Sequence, residues 1–441
     1  MQRAVQNQFY IVLFLTILSG CKGPERTLKM QKNIKTRLEM TESAYTGNLT
    51  DSFMVRLLQE YPQFFDKIVR QKDQRRLQII YTQIDREKNG SPRFTDYAYN
   101  LNPGNYFYPA STVKLPVAIL ALQKLNELNI KGLDRNTTMI SESSGYRQTD
   151  VFNDPSSEDG RPSIAQYIKK ILLVSDNDAF NRLYEFLGQE YINETLHRMG
   201  FTRTQIIHRL EVNLTETENR ATNPITFFDS TGAVIYQQPG KLSELKIEKD
   251  TVKLGKGFIR NGQMVNEPFD FTLKNRMPLP DLHEILKSIL FTDALPEEQR
   301  FNLTDDDLTF LRKYMSMMPQ ESLYPEYDPK DYWDTYVKFL YYGSLPGTAE
   351  KNIRIFNKVG DAYGFLTDAA YIIDFSNNIE FMVSATIYVN SNEIFNDDTY
   401  DYDLVGLPFM KDLGRVLYKH EKKRNKKSIP DLSAFRYSYK K

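Results

Sequence analysis

The sequence predicts an α/β (α+β) domain whose antiparallel sheet is assembled from both ends of the chain, on three observations. Leu77–Asp85 alternates apolar and polar side chains as a half-buried strand does, and a turn at Lys88-Asn89-Gly90-Ser91 returns the chain into Arg93–Tyr99 as a hairpin. A long helical middle follows. Near the C-terminus Ile353–Val359, Phe365–Ile373 and Phe381–Val389 are strand candidates joined by tight turns, and a helix over Asp403 to about Glu421 closes the chain. This order fits one sheet flanked by helices, with an all-helical half beside it.

The first residues carry an address. Arg3 supplies a short positive region, Phe9 to Leu18 an apolar one too short to span a membrane, and small residues follow, so residues 1–20 read as an export signal. Leu18-Ser19-Gly20-Cys21 resembles the bacterial lipobox, which implies that Cys21 becomes the lipidated first residue, held to a membrane outside the cytoplasm. Residues 21–44 are polar, basic and without periodicity, as a tether would be. Cys21 is the only cysteine among 441 residues, so neither an intrachain disulfide nor a cysteine metal site is possible.

From Ser52 a helical pattern runs towards Val69, followed by the hairpin. Tyr108 to Leu122 comes next and is apolar on every side after Lys114, the signature of a helix at the centre of a domain. Its first turn nevertheless carries Ser111 and Lys114, three apart and so on one face. Burial would strip hydration from the ammonium, and a neutral amine beside a hydroxyl makes an activated nucleophile. The plainer alternative makes Ser111 a cap and lets Lys114 snorkel to water. Ser-x-x-Lys by itself is weak, and a second copy stands at Ser243–Lys246. Gly132 to Pro162 is loop-rich. Ile164–Val174 is helical, Ser175-Asp176-Asn177 interrupts, and Ala179–Leu187 resumes; a short polar trio at a helix break reads first as a cap. Thr202–Asn223 suits a compact surface loop. Phe227 to Thr272 reads as short strands with turns at Asp229–Gly232 and Arg260-Asn261-Gly262, and Pro278 to Met318 is helical again, capped at Thr304 or Asp305.

Ser111-x-x-Lys114, Ser175-Asp176-Asn177 and Lys358-Val359-Gly360 now stand in order along the chain. They resemble the motifs of the serine β-lactamase and penicillin-binding protein superfamily, most closely its class A β-lactamase branch. The resemblance spans roughly residues 45 to 420 of a 45–441 domain, with an insertion at about 226–280. It implies Ser111 as acylated nucleophile, Lys114 as its base or relay, and Ser175 as donor to the leaving nitrogen. Asn177 would hold the substrate amide and Lys114, and Lys358 would supply positive potential. Backbone N–H groups of Ser111 and Asp361 would form the oxyanion hole, with Val359 and Gly360 along the substrate. Glu211, 36 positions after Ser175, stands where the deacylating glutamate is expected.

The departures concern Glu211 and the substrate. Thr215 stands where the family's water-holding asparagine would be, and Arg220-Ala221-Thr222 lacks the aspartate of the loop neck; Arg209 is expected to pair with Glu216 or Glu218. Val359 replaces a hydroxyl, and Asp361, if it points inward, repels an anionic substrate by about 3 kcal/mol at ~5 Å and an effective dielectric of ~20; strand alternation could instead turn it outward. The expected substrate is a small β-lactam or a peptidoglycan peptide, the latter implying a D,D-peptidase or carboxypeptidase; a non-catalytic binding lipoprotein on the same fold is the third reading. Lys+Arg and Asp+Glu balance at 57 each, so no net field favours nucleic acid. The four histidines are scattered, no His-Glu-x-x-His occurs, and the acids from Asp397 to Asp403 lack EF-hand spacing, so no cofactor or metal is expected.

Overall fold

The computed structural model describes residues 48–439; the signal segment, Cys21 and the whole tether lie outside the described residues. Helices α1 (Ser52–Gln59) and α2 (Pro62–Arg70) replace the single helix expected there. Pro62 lacks an amide proton and disfavours helical backbone before it, so the helix stops and restarts with proline in its first turn. β1 (Gln78–Arg86) and β2 (Pro92–Tyr99) form the expected hairpin, with Tyr81 opposite Tyr97. A 3₁₀ turn (Ala110–Val113) leads into α3 (Lys114–Leu128), and a short β3 (Thr138–Ser141) lies within the stretch read as loop. The next helices are α4 (Ile164–Val174), α5 (Asn177–Arg198), bent at Gly188, and the single turn α6 (Glu216–Arg220).

The region 225–270 supplies β4 (Ile225–Phe228), β5 (Val234–Gln238), β6 (Lys253–Leu254), β7 (Gly257–Arg260), β8 (Gln263–Val265) and β9 (Phe269–Asp270). The helical pattern of 278–318 divides into α7 (Leu279–Leu290) and α8 (Asp305–Ser316), whose cap Thr304 exchanges hydrogen bonds with Asp307. β10 (Ile353–Ala362), β11 (Phe365–Asp374), β12 (Ile379–Tyr388), a two-residue β13 (Ile394–Phe395) and α9 (Leu407–Lys423) complete the described chain.

The main sheet runs β10-β11-β12-β1-β2, antiparallel throughout, so the N-terminal hairpin joins the C-terminal strands at β1–β12, where Tyr81 faces Val383. One face packs on α1, α2 and α9 through Met54, Leu57, Phe65, Phe409, Leu413 and Leu417. Arg424, just past α9, secures that layer by donating to Asp85 (2.5 Å) and to the Ile84 carbonyl (2.9 Å). On the other face lie the central helix and α7, whose buried His283 bonds Thr82 and Ser384 (2.8 Å each). The short strands do not join this sheet. β7 pairs in parallel with β13 and antiparallel with β8, and a Cβ on Gly257 would lie 2.7 Å from the Val265 carbonyl of β8, so the β7–β8 approach leaves no room for a side chain. Among the described residues no helix is long and apolar enough to cross a membrane.

Candidate active site

The site begins where the buried helix meets the sheet edge. Lys114 to Gln123 are buried without interruption, so α3 is held from every side and its first turn is fixed in space. The 3₁₀ turn before it is braced by Thr112, whose hydroxyl and amide both donate to the Pro109 carbonyl (2.6 and 3.0 Å). β10 presses directly on this turn. A Cβ on Gly360 would stand 2.6 Å from the Pro109 carbonyl oxygen and 2.9 Å from the amide nitrogens of Ser111 and Thr112.

Lys114 does not snorkel; its side chain is wholly buried. Its ammonium donates to the Ser175 carbonyl, to Asn177 Oδ1 (2.6 Å) and to Ser175 Oγ (3.3 Å). Burial lowers its pKa to about 7, against the pull of Asp176, Asp361 and Glu211. Among the described residues Lys114 makes no hydrogen bond to Ser111 in this state. The Ser175-Asp176-Asn177 trio divides its work. Asp176 is the cap, accepting from the Ala179 amide (2.7 Å), while Ser175 closes α4 in left-handed conformation (φ 63°) and Asn177 opens α5, both turned towards Lys114. Lys358 donates to Ser175 Oγ (2.8 Å) and to the Val359 carbonyl (2.9 Å). Burial first, then the nearby Lys114, holds its pKa well below that of an ordinary lysine.

Glu211 reaches the same cluster, its Oε2 accepting from Asn177 Nδ2 (2.7 Å). It adopts φ 61°, a left-handed conformation that a β-carbon makes costly, so the surrounding loop must impose it. Asparagines do this. Asn181 on α5 takes both backbone groups of Leu210 (2.9 and 3.0 Å), Asn193 those of Ile206 (2.8 and 2.9 Å), and Asn219 and Asn275 engage Arg209, Ile207 and His208. Arg209 departs from the expected pairing with Glu216 or Glu218. It is buried against Glu185 of α5 (3.2 Å) and donates to the Ala221 carbonyl (2.7 Å), so the neck of the loop closes without the missing aspartate. Glu216 pairs with Arg220 and Lys249 instead, and Thr215 caps α6 with Glu218.

Ser111, Ser175, Asn177, Glu211, Val359 and Asp361 line one cleft of about 870 Å³. Val359 is buried and shared with the core beneath α9. Asp361 is exposed to solvent and lines the cleft. Partial desolvation by the cleft walls raises its pKa while Lys358 and Lys114 oppose the shift. Asp398 and Asp403 add further carboxylates to the lining. Among the described residues no three histidine, cysteine or acidic side chains are grouped to hold a metal ion.

Comparison with known proteins bears on this geometry. Residues 63–234 match the model of the Beta-lactamase enzyme family. That span, 172 of the 441 residues, is similar to the family. No curated protein matches the sequence. A β-lactamase from Sphaerobacter thermophilus is 12% identical with a TM-score of 0.44, covering 81% of this chain and 95% of its own. A class A β-lactamase from Clostridium kluyveri is 15% identical with a TM-score of 0.45, covering 81% and 98%. An acyl-enzyme complex of PBP-A with penicillin G is likewise 15% identical, with a TM-score of 0.46, covering 84% and 97%.

The structure also holds a feature that the motifs do not mark. Lys338 is buried beside β10 and donates to Asn357 (2.7 Å) and to the carbonyls of Met315 and Ile355 (2.8 and 3.0 Å). Its pKa is lowered to about 7 by burial, and Asn357 also donates to the buried Asp368 (2.9 Å). The only sequence signal was a lysine inside the apolar run Val337–Leu340, whose partners lie on separate elements.

Proposed function

We propose that this protein is a serine hydrolase that cleaves a β-lactam or related cyclic amide through an acyl-Ser111 intermediate, and that lipidated Cys21 anchors it on the outer side of a bacterial membrane. One observation carries the catalytic part: a connected chain Lys358–Ser175–Lys114–Asn177–Glu211 converges on the cleft that contains Ser111. The anchor rests on Leu18-Ser19-Gly20-Cys21.

In this mechanism neutral Lys114 accepts the Ser111 proton, directly or through a water, and Oγ attacks the carbonyl carbon. The N–H groups of Ser111 and Asp361 receive the oxyanion, a contribution of about 3–4 kcal/mol per donor. The C–N bond breaks as Ser175 passes its proton to nitrogen and is reprotonated from the lysine pair. Glu211 then takes a proton from water as the water oxygen attacks the acyl carbon, and that proton passes on to Ser111 Oγ as the ester C–O bond breaks, restoring both side chains. The low pKa of Lys114 implies that acylation rises with pH through about 7. A peptidoglycan-peptide peptidase is the second reading. It is favoured by Val359, which offers no hydroxyl to a β-lactam carboxylate, and by Asp361, Asp398 and Asp403, which oppose one.

Intact mass of the soluble form lacking residues 1–21, followed with benzylpenicillin, tests both. A Ser111-dependent adduct that clears in the parent and persists about 10²–10⁴-fold longer in Glu211→Gln supports β-lactamase chemistry. An adduct equally persistent in both supports the peptidase. No adduct removes β-lactams from the substrates, and Ser111→Ala must lose any adduct that forms.

A further inference from the structure

A second cavity of about 700 Å³ lies beside the Ser111 cleft, between the Glu211 loop and the 245–274 segment. The two share Tyr108, Glu211, Tyr363 and Asn396 and therefore adjoin. An aromatic series marks the passage. Tyr108, three residues before Ser111, meets Tyr363 at 5.1 Å between ring centroids, Tyr363 meets Phe269 at 5.4 Å, and Phe269 meets Phe258 at 5.3 Å.

The charges of this annexe are unevenly answered. Five cationic residues (Arg209, Arg220, Lys249, Arg260, Lys274) and two acids (Glu211, Glu216) line it. Arg209 is taken by Glu185 at 3.2 Å, and Arg220 and Lys249 by Glu216 at 3.0 and 2.6 Å. Lys274 and Arg260 meet no carboxylate among the described residues. Lys274 instead lies 5.7 Å from the Tyr363 ring centroid, and the Arg260 guanidinium 4.9 Å from that of Phe258. The remaining lining is partly aliphatic, including Val212, Leu214, Leu245 and Ile247.

We infer that the annexe is an acyl-side subsite and that the substrate is a peptide-like amide whose acyl arm runs over an apolar stretch to a free carboxylate, bound by Lys274 and Arg260. This rests on the acyl-Ser111 reading, in which Asn177 and Glu211 flank the acyl group and Ser175 the leaving nitrogen; the annexe opens on the Glu211 side. A carboxylate suits an ammonium and a guanidinium that meet aromatic rings but no carboxylate among the described residues, and the aliphatic lining suits the arm that carries it. Asp361, Asp398 and Asp403 reinforce the assignment, because they make the Ser111 cleft unfavourable for the same anion.

The probes are two phenyl thioesters of one N-acylated alanine, identical at the reacting carbonyl, whose eight-carbon arm ends in a carboxylate or in the matching carboxamide. The full mature chain is expected to show a kcat/KM at least about tenfold higher for the carboxylate probe, equivalent to one tenfold step in transition-state affinity. Lys274→Gln and Arg260→Gln should each shrink that ratio, and the double variant should bring it to about one. Calorimetry on Ser111→Ala should show the same preference as a ratio of Kd values. A ratio near one in the parent, or a ratio kept by the double variant, overturns the subsite. Preferential binding without turnover keeps the subsite and overturns the hydrolytic reading, whereas turnover without preference does the reverse. Neither binding nor turnover of either probe also overturns the subsite.

Discussion

Gly360 is the residue with least latitude. A methyl group there would collide with three backbone atoms of the Ser111 turn, and backbone cannot rotate away as a side chain can. Gly360→Ala is therefore expected to displace the nucleophile and slow acylation by benzylpenicillin about 10²-fold, with little loss of thermal stability, as time-resolved intact mass would measure. An unchanged rate would mean that the turn is free to yield. Under the proposed function its neighbour, Asp361, is expected to weigh against an anionic substrate. Replacing the cleft-facing carboxylate by Asp361→Ser should raise kcat/KM for benzylpenicillin by about tenfold or more, the effect shrinking as salt rises; a fall would show that the carboxylate assists. Lys358, Gly360 and Asp361 could be picked from a motif. The direction of the Asp361 side chain could not, because strand alternation gives two faces and only pairing with β11 and contact with the turn tell which end opens to the cleft.

The Glu211 loop shows how an element without its own regular hydrogen bonding is made rigid. Its backbone groups are taken by side-chain amides from α5, α6 and the segment before α7, a cross-linking with no local periodicity to reveal it. Arg209 and Glu185 form its buried anchor, with side-chain exposures of 2% and 3%. Removing Arg209 leaves the buried Glu185 carboxylate with Arg182, at 3.6 Å, as its remaining cationic neighbour and no guanidinium hydrogen bond. Arg209→Ala should thus cost about 3–5 kcal/mol in urea unfolding and lengthen the life of any acyl-enzyme as Glu211 loses its position. A cost below about 1 kcal/mol would show that the pair contributes little. Glu185 stands 24 residues before Arg209 in the interior of α5, so the sequence offered Glu216 and Glu218 as nearer partners. The α1–α2 break was marked by Pro62, but proline alone does not tell a kink from a restart.

For the molecule as a whole, buried lysines control the response to pH. Lys114 and Lys338 hold pKa values of about 7 in the folded protein against 10.5 for an ordinary lysine. Between those values the unfolded chain binds more protons, so stability must rise with pH. From pH 7 to 9 each lysine should add about 2 kcal/mol, seen as a rising urea midpoint. The buried Asp368, raised to about 6, acts below this window, and the buried tyrosines, shifted upward from 10, act above it. Lys338→Met should flatten the rise, and a midpoint that falls from pH 7 to 9 would contradict the assignment.

The α/β (α+β) class, the hairpin, the three C-terminal strands and the apolar helix behind Ser111 were legible from residue order, because period-two and all-apolar patterns report burial locally. So were the three motifs, since capping chemistry and their order along the chain are properties of sequence. The Lys338 network, the Arg209–Glu185 anchor, the inward face of Asp361 and the cationic annexe joined elements up to hundreds of residues apart. Their energies depend on desolvation and on which groups meet in space, quantities that no stretch of chain carries until packing removes water and sets the distances.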